Sequence, residues 1–110
     1  REGDRVAVDP VLSCVTRAMA ACPCCERGVY GTCERHFDGR GALLGFSQEL
    51  PGGFAERMVA HVSQVFPVSA SIDDDRGVLT EPLAVAVHAV LGHAPAGDET
   101  VLVIGGGVIA

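Results

Sequence analysis

A chain of 110 residues, 48% apolar and 20% charged, has the length for one modest domain with a real but not generous core, and a second complete domain does not fit. One Tyr, four Phe and no Trp leave Val, Leu and Ala to fill the interior. The formal net charge of -6, with acidic residues gathered at Asp73, Asp74 and Asp75 and no Lys/Arg cluster, excludes phosphate-backbone binding as the main task. No apolar run approaches the roughly 18 to 20 residues of a membrane span. The polar start, Arg1-Glu2-Gly3-Asp4-Arg5, lacks the pattern of a signal peptide. The expectation is a soluble, cytoplasmic protein with neither nucleic acid nor membrane as partner. With no initiating Met and an end at Val108-Ile109-Ala110 that carries no helix stop signal, it is expected to be an internal piece of a longer chain.

In chain order, Gly3-Asp4 is a turn pair, and Arg5 to Val8 alternates towards Pro10 as a short strand does. From Val11 to Phe37 the pattern changes: all five cysteines fall here and hydrophobic periodicity is lost, which predicts an irregular lobe not held by an apolar face. Asp38 to Gly45 is a glycine-rich loop, and Leu50-Pro51-Gly52-Gly53 is a turn. Phe54 to Val62 is rich enough in Val, Met and Phe to predict a strand, and Val65 to Val68 a further extended segment. Asp73 to Asp75 reads as a solvated helix-start signal. Leu79, Leu83, Val87, Val90 and Leu91 then fall at offsets 0, 4, 8, 11 and 12, an apolar helical stripe ending near Gly92. Pro82 either occupies the first turn of a helix beginning near Thr80 or kinks a longer one. After the loop from Ala94 to Asp98, Thr100 to Ile104 is an uninterrupted apolar run of the kind buried in a parallel sheet. It leads into Gly105-Gly106-Gly107.

Five cysteines within twenty residues, in a composition that is otherwise cytosolic, point to metal rather than to a disulfide framework. Cys22 and Cys25 stand at C-x2-C spacing, which brings two sulfurs to one ion; Cys33 follows after seven residues, and Cys14 lies upstream. Adjacent side chains tend to point apart, so Cys24 and Cys25 do not both suit one ion. The expected ligands are Cys14, Cys22, Cys25 and Cys33 with Cys24 as a spare thiol, the exchange of Cys24 for one of them remaining open. Four thiolates leave no free coordination position, which makes the ion structural.

The run from Gly3 to Pro10, then Cys14, Cys22-Pro23-x-Cys25-x-x-Gly28 and Cys33, resembles the structural-zinc lobe of the zinc-containing medium-chain dehydrogenase/reductases, the alcohol dehydrogenase superfamily. That family's usual spacing is C-x2-C-x2-C-x7-C; here the first interval is stretched to seven residues, Val15 to Ala21, with Met19 at the unstretched position. The stretched form is similar to a subgroup related to threonine and sorbitol dehydrogenases. Gly52-Gly53-Phe54-Ala55-Glu56 and Thr80-Glu81-Pro82-Leu83-Ala84-Val85-Ala86-Val87-His88-Ala89 also resemble segments of that family, as does Val101 to Ala110.

The resemblance implies a mainly β, GroES-like catalytic-domain portion over residues 1–78, with the irregular zinc lobe at about 11–37. A connecting helix and loop over 79–99 and the truncated first strand of a Rossmann α/β domain over 100–110 would follow. It implies a full-length enzyme in which a catalytic zinc polarises a secondary alcohol or polyol and hydride passes to NAD or NADP. This piece alone would be inactive, and the whole protein a dimer or tetramer. Read from its own surroundings, Glu81 is a first-turn carboxylate complementing the helix dipole. The resemblance instead assigns it to the catalytic zinc, directly or through water. Gly105, Gly107 and Ala110 fit G-x-G-x-x-G/A, the turn that lets a backbone approach a cofactor pyrophosphate. His36 and His61 read as loop or surface residues and His88 as a packing histidine. A reading from another class is a non-enzymatic zinc-binding module that docks a partner.

Overall fold

The computed structural model describes residues 1–38, 41–46 and 50–109. Its strands are β1 (Val6–Val8) and β2 (Val65–Pro67), hydrogen-bonded neighbours in a two-stranded sheet; its helices are α1 (Pro23–Glu26), α2 (Asp74–Gly77) and α3 (Thr80–Gly92). Among the described residues three short 3-10 turns, Tyr30–Thr32, Glu34–Phe37 and Val62–Gln64, fill out the irregular part. The chain divides into two compact units, one of Val8–Pro67 and one of Arg1–Ala7 with Val68–Ala110.

In the first unit, Val11 bridges antiparallel to Leu43, so residues 42–44 run beside the strand exit: the Leu12 amide donates to Ala42 O at 2.8 Å and the Leu44 amide to Pro10 O at 2.9 Å. Gly45 and Gly52 pass so closely that a Cβ on Gly52 would lie 2.9 Å from the Gly45 Cα, and Gly45 itself has φ +84. Neither position accepts a side chain without moving backbone. Gln64 is the unit's internal clasp. Its amide donates to Asp9 O at 2.8 Å and Val11 O at 3.0 Å, while its Oε1 accepts from the His61 amide at 3.0 Å. At 3% exposure it is a buried polar side chain with its hydrogen bonds made. The strand expected over Phe54 to Val62 does not form, and Phe54 is fully exposed. Strand-favouring composition yields a strand only where a neighbour accepts its backbone groups, and 54–60 pairs with none among the described residues. Among the described residues the β content is thus smaller than expected: two strands of three residues each.

In the second unit, Arg5 holds the segment before α2. Its Nη1 donates to Ile72 O at 2.6 Å, its Nη2 meets Asp74 Oδ1 at 2.6 Å, and the Val68 amide donates to Arg5 O at 2.9 Å. Asp73 caps α2 by accepting from the Arg76 amide at 2.9 Å, as its acidic run anticipates. Pro82 lies in the first turn of α3, where its missing N–H is not needed; the first helical donor is the Leu83 amide, to Leu79 O at 2.9 Å. The stripe expected on α3 is there in sequence, yet Leu79, Leu83, Val87, Val90 and Leu91 are all exposed. Residues 100–104 carry no strand, and Val101, Leu102, Val103 and Ile104 are exposed. A buried parallel strand needs partners on its edges and cover on its faces, and the described residues supply neither to this run. No helix among the described residues is long and apolar enough to cross a membrane.

Candidate metal centre

The lobe is built around sulfur. Cys22 precedes α1 in extended backbone (φ -82, ψ 166), and Pro23 starts the helix with φ already suited to it. The short turn that follows carries Cys25 inward. It closes with Glu26 N–H to Cys22 O at 2.9 Å, Gly28 N–H to Cys25 O at 3.0 Å and Val29 N–H to Cys24 O at 3.0 Å. Gly28 stands at φ +75, the left-handed conformation that glycine takes without strain, and this reverses the chain towards Tyr30–Thr32 and Cys33. Upstream, Cys14 opens a loop that returns to it: the Met19 amide donates to Cys14 O at 3.0 Å.

Cys14, Cys22, Cys25 and Cys33 are all buried, and their sulfurs lie within 4.8 Å of one another. Cys14 Sγ is 3.7 Å from Cys33 Sγ, and Cys22 Sγ is 4.0 Å from it. A tetrahedral ion with metal–sulfur bonds of about 2.3 Å has sulfur–sulfur edges of about 3.8 Å, so the donor set fits zinc in both kind and spacing. Cys24 points elsewhere: it is half-buried against the cluster, and Arg27 Nη2 donates to its sulfur at 3.7 Å. Met19, at the position where the unstretched spacing would put a ligand, packs against the cluster as an apolar neighbour.

The thiols are not equivalent. Hydrogen bonds from the Cys25 and Glu34 backbone draw Cys22 down from 9.0 to about 6. Burial pushes Cys25 up to about 12. A divalent cation at the centre favours every thiolate and overrides this difference.

The other predicted residues lie apart in the chain. Glu81 is exposed in the first turn of α3, and His88 is exposed on the same helix. Gly105 and Gly107 are exposed, Gly105 at φ +104; Ala110 lies outside the described residues. His61 caps the 3-10 turn Val62–Gln64, its Nδ1 accepting from the Ser63 amide at 3.2 Å. His36 is half-buried, with Nε2 at 3.1 Å from Leu12 O. Sequence reasoning passes over Arg17, whose side chain is 9% exposed beside the lobe. The signal available was one arginine in the middle of an insert between two ligands.

Residues 1–70 match the family described as the Alcohol dehydrogenase GroES-like domain. The chain is similar to L-galactonate-5-dehydrogenase of Escherichia coli (strain K12), 35% identical over 99% of this chain and 28% of that protein. It is also similar to galactitol 1-phosphate 5-dehydrogenase of the same strain, 32% identical over 97% of this chain and 28% of the relative. L-Idonate 5-dehydrogenase of Vitis vinifera is 34% identical over 97% of this chain and 26% of its own length. The chain therefore spans little more than a quarter of the length of these curated relatives. No solved structure matches it.

Proposed function

The chain belongs to the family of the alcohol dehydrogenase GroES-like domain, and from that premise we propose that the whole protein is a zinc-dependent oxidoreductase moving hydride from a secondary alcohol or polyol to NAD or NADP. The observation that carries the reading is the convergence of four buried thiols at zinc spacing in a chain that aligns nearly end to end with polyol dehydrogenases. Cys14, Cys22, Cys25 and Cys33 hold a structural zinc; with four thiolates around it there is no open position for substrate. When bound, a separate catalytic zinc supplies the Lewis acid that lowers the pKa of the substrate hydroxyl.

Glu81 serves that second site, as a ligand or through water. Its place in the first turn of α3 gives its negative charge a favourable helix terminus, and its exposure leaves the carboxylate available. Gly105, Gly107 and Ala110 form the turn that admits the cofactor pyrophosphate, with residues 100–104 as the first strand of the Rossmann sheet. In this division 1–78 is the GroES-like portion and 79–99 the connection. The exposed apolar side chains of α3 and of 101–104 support it, since apolar side chains grouped in this way call for cover. The protein acts in the cytoplasm as a dimer or tetramer.

Metal analysis of the full-length protein is the test. Two zinc ions per subunit are expected, with reduction of NAD or NADP when polyols or threonine are supplied. Glu81→Gln should remove activity while leaving the cysteine-bound ion in place. One zinc and no cofactor binding in the unaltered protein would refute the oxidoreductase.

A further inference from the structure

The seven residues between the first two cysteines do more than lengthen a loop. They carry Arg17, a guanidinium with only 9% of its side chain exposed. Nη1 donates to Arg35 O at 2.7 Å and to Asp38 Oδ2 at 3.3 Å, and Nη2 donates to Gly41 O. All three acceptors come from the chain just beyond Cys33. A buried guanidinium is costly unless its fork of donors is answered, and here backbone and carboxylate answer it from several directions.

The insert is shaped to deliver that side chain. The Arg17 amide donates to Ser13 O at 3.3 Å, the Ala18 amide to Val15 O at 3.1 Å, and the Met19 amide to Cys14 O at 3.0 Å. Ala18 sits at φ +51, a left-handed turn made by a residue that has a Cβ. The loop thus coils back on Cys14 immediately after presenting the arginine. His36 Nε2 against Leu12 O, at 3.1 Å, ties the stretch beyond Cys33 to the residues just before Cys14 as well.

The sulfurs join these stretches too, through Cys14 and Cys33 at 3.7 Å. Two independent clasps therefore close one loop, and once either is made the entropy of bringing its ends together is already spent for the other. The geometry points to Arg17 as a positioning residue of the metal centre, holding Cys14 and Cys33 at ligand separation before the ion arrives and slowing the ion's departure. This rests on the zinc reading of the four cysteines.

The test uses the full-length protein as wild type, Arg17→Ala and Arg17→Lys. Zinc release to an excess of a chromophoric chelator is timed, and the cobalt-substituted proteins are compared by their thiolate charge-transfer and visible bands. Arg17→Ala should release the thiolate-bound ion about 10- to 100-fold faster, the range for loss of a residue that orients metal ligands. Its cobalt bands should show a distorted tetrahedron. Arg17→Lys keeps the charge but not the fork, so it should recover only part of the retention. If Arg17→Ala does not fold even with metal, the lysine variant decides by the same two readouts. Release at the wild-type rate with unchanged cobalt bands, in the folded variants, overturns the clamp alone. Wild-type protein that takes up no ion at the cysteines overturns the zinc reading and the clamp together.

Discussion

Replacing Cys33 with Ser should weaken metal binding and loosen the lobe, whereas replacing Cys24 with Ser should leave both nearly intact. Cys33 is 2% exposed and its sulfur is within 4.0 Å of two others, so no neighbour can take its place without rebuilding the loop. The buried apolar side chains among the described residues are Leu12, Leu44 and the four clustered cysteines. Each leucine contributes about 1.5–3 kcal/mol by burial, against roughly 10–16 kcal/mol for a structural zinc at neutral pH. Zinc bound at the four sulfurs would therefore stabilise the lobe more than both leucines together. Shared over four ligands, its contribution puts Cys33→Ser at about 2.5–4 kcal/mol, on the order of 10²- to 10³-fold in Kd. Cys24 is half-buried and its sulfur has one polar neighbour, Arg27, so Cys24→Ser should stay within about 0.5 kcal/mol. Competition with a chelator gives the affinities, and limited proteolysis between residues 11 and 37 reports the fold of the lobe. Equal losses from the two variants would refute the ligand set.

Ala18 is exposed at φ +51, a conformation costing an L-residue about 1–2 kcal/mol. Ala18→Gly removes that strain but frees the unfolded chain, so a net gain of about 0.5–1 kcal/mol is expected in the urea midpoint; a loss would show that the turn is not strained. Gln64→Ala should cost about 2–3 kcal/mol, because Asp9 O and Val11 O lose their donor and the His61 amide its acceptor. An unchanged denaturation midpoint would contradict the clasp. Metal affinity should fall with falling pH, since thiols must lose protons to bind. Cys25, pushed up to about 12, releases a proton on binding throughout the neutral range; Cys22, drawn down to about 6, adds its own only below that value. A plot of log Kd against pH should therefore steepen by about one as pH drops through 6, and a constant slope would refute the lowered Cys22.

Legibility followed the range of the interactions. The Asp73 cap and the Thr80–Gly92 helix are set by neighbours in sequence and are readable without a structure, whereas the Val6–Val8 strand, readable from its alternation, is completed by Val65–Pro67 far along the chain. The convergence of four cysteines was readable for a different reason: thiols at C-x2-C spacing have one chemistry in common, and the adjacency of Cys24 to Cys25 removes one of them. Gln64 and Arg17 were invisible because their partners stand 53 to 55 and 18 to 24 residues away, and neither residue type announces burial. The strand expected at Phe54 to Val62 failed on the other side of the same rule. Val, Met and Phe report a taste for a pleated surface, but among the described residues no neighbour is there to complete one.

A lobe whose interior is a cluster of cysteines inverts the usual relation between apolar pattern and core. In the unit from Val8 to Pro67, Phe37, Phe46, Phe54, Val59 and Val62 are exposed while cysteines occupy the interior, so a search for the core by hydrophobic period looks in the wrong place. The buried positions are marked instead by residues that bring polar groups to a point: thiols in the lobe, and elsewhere in the unit a guanidinium and a carboxamide for the backbone. Such an interior is sensitive to changes that leave hydrophobicity untouched. Cys33→Ser and Gln64→Ala remove little apolar area, yet both are expected to cost more than truncating any of the exposed phenylalanines.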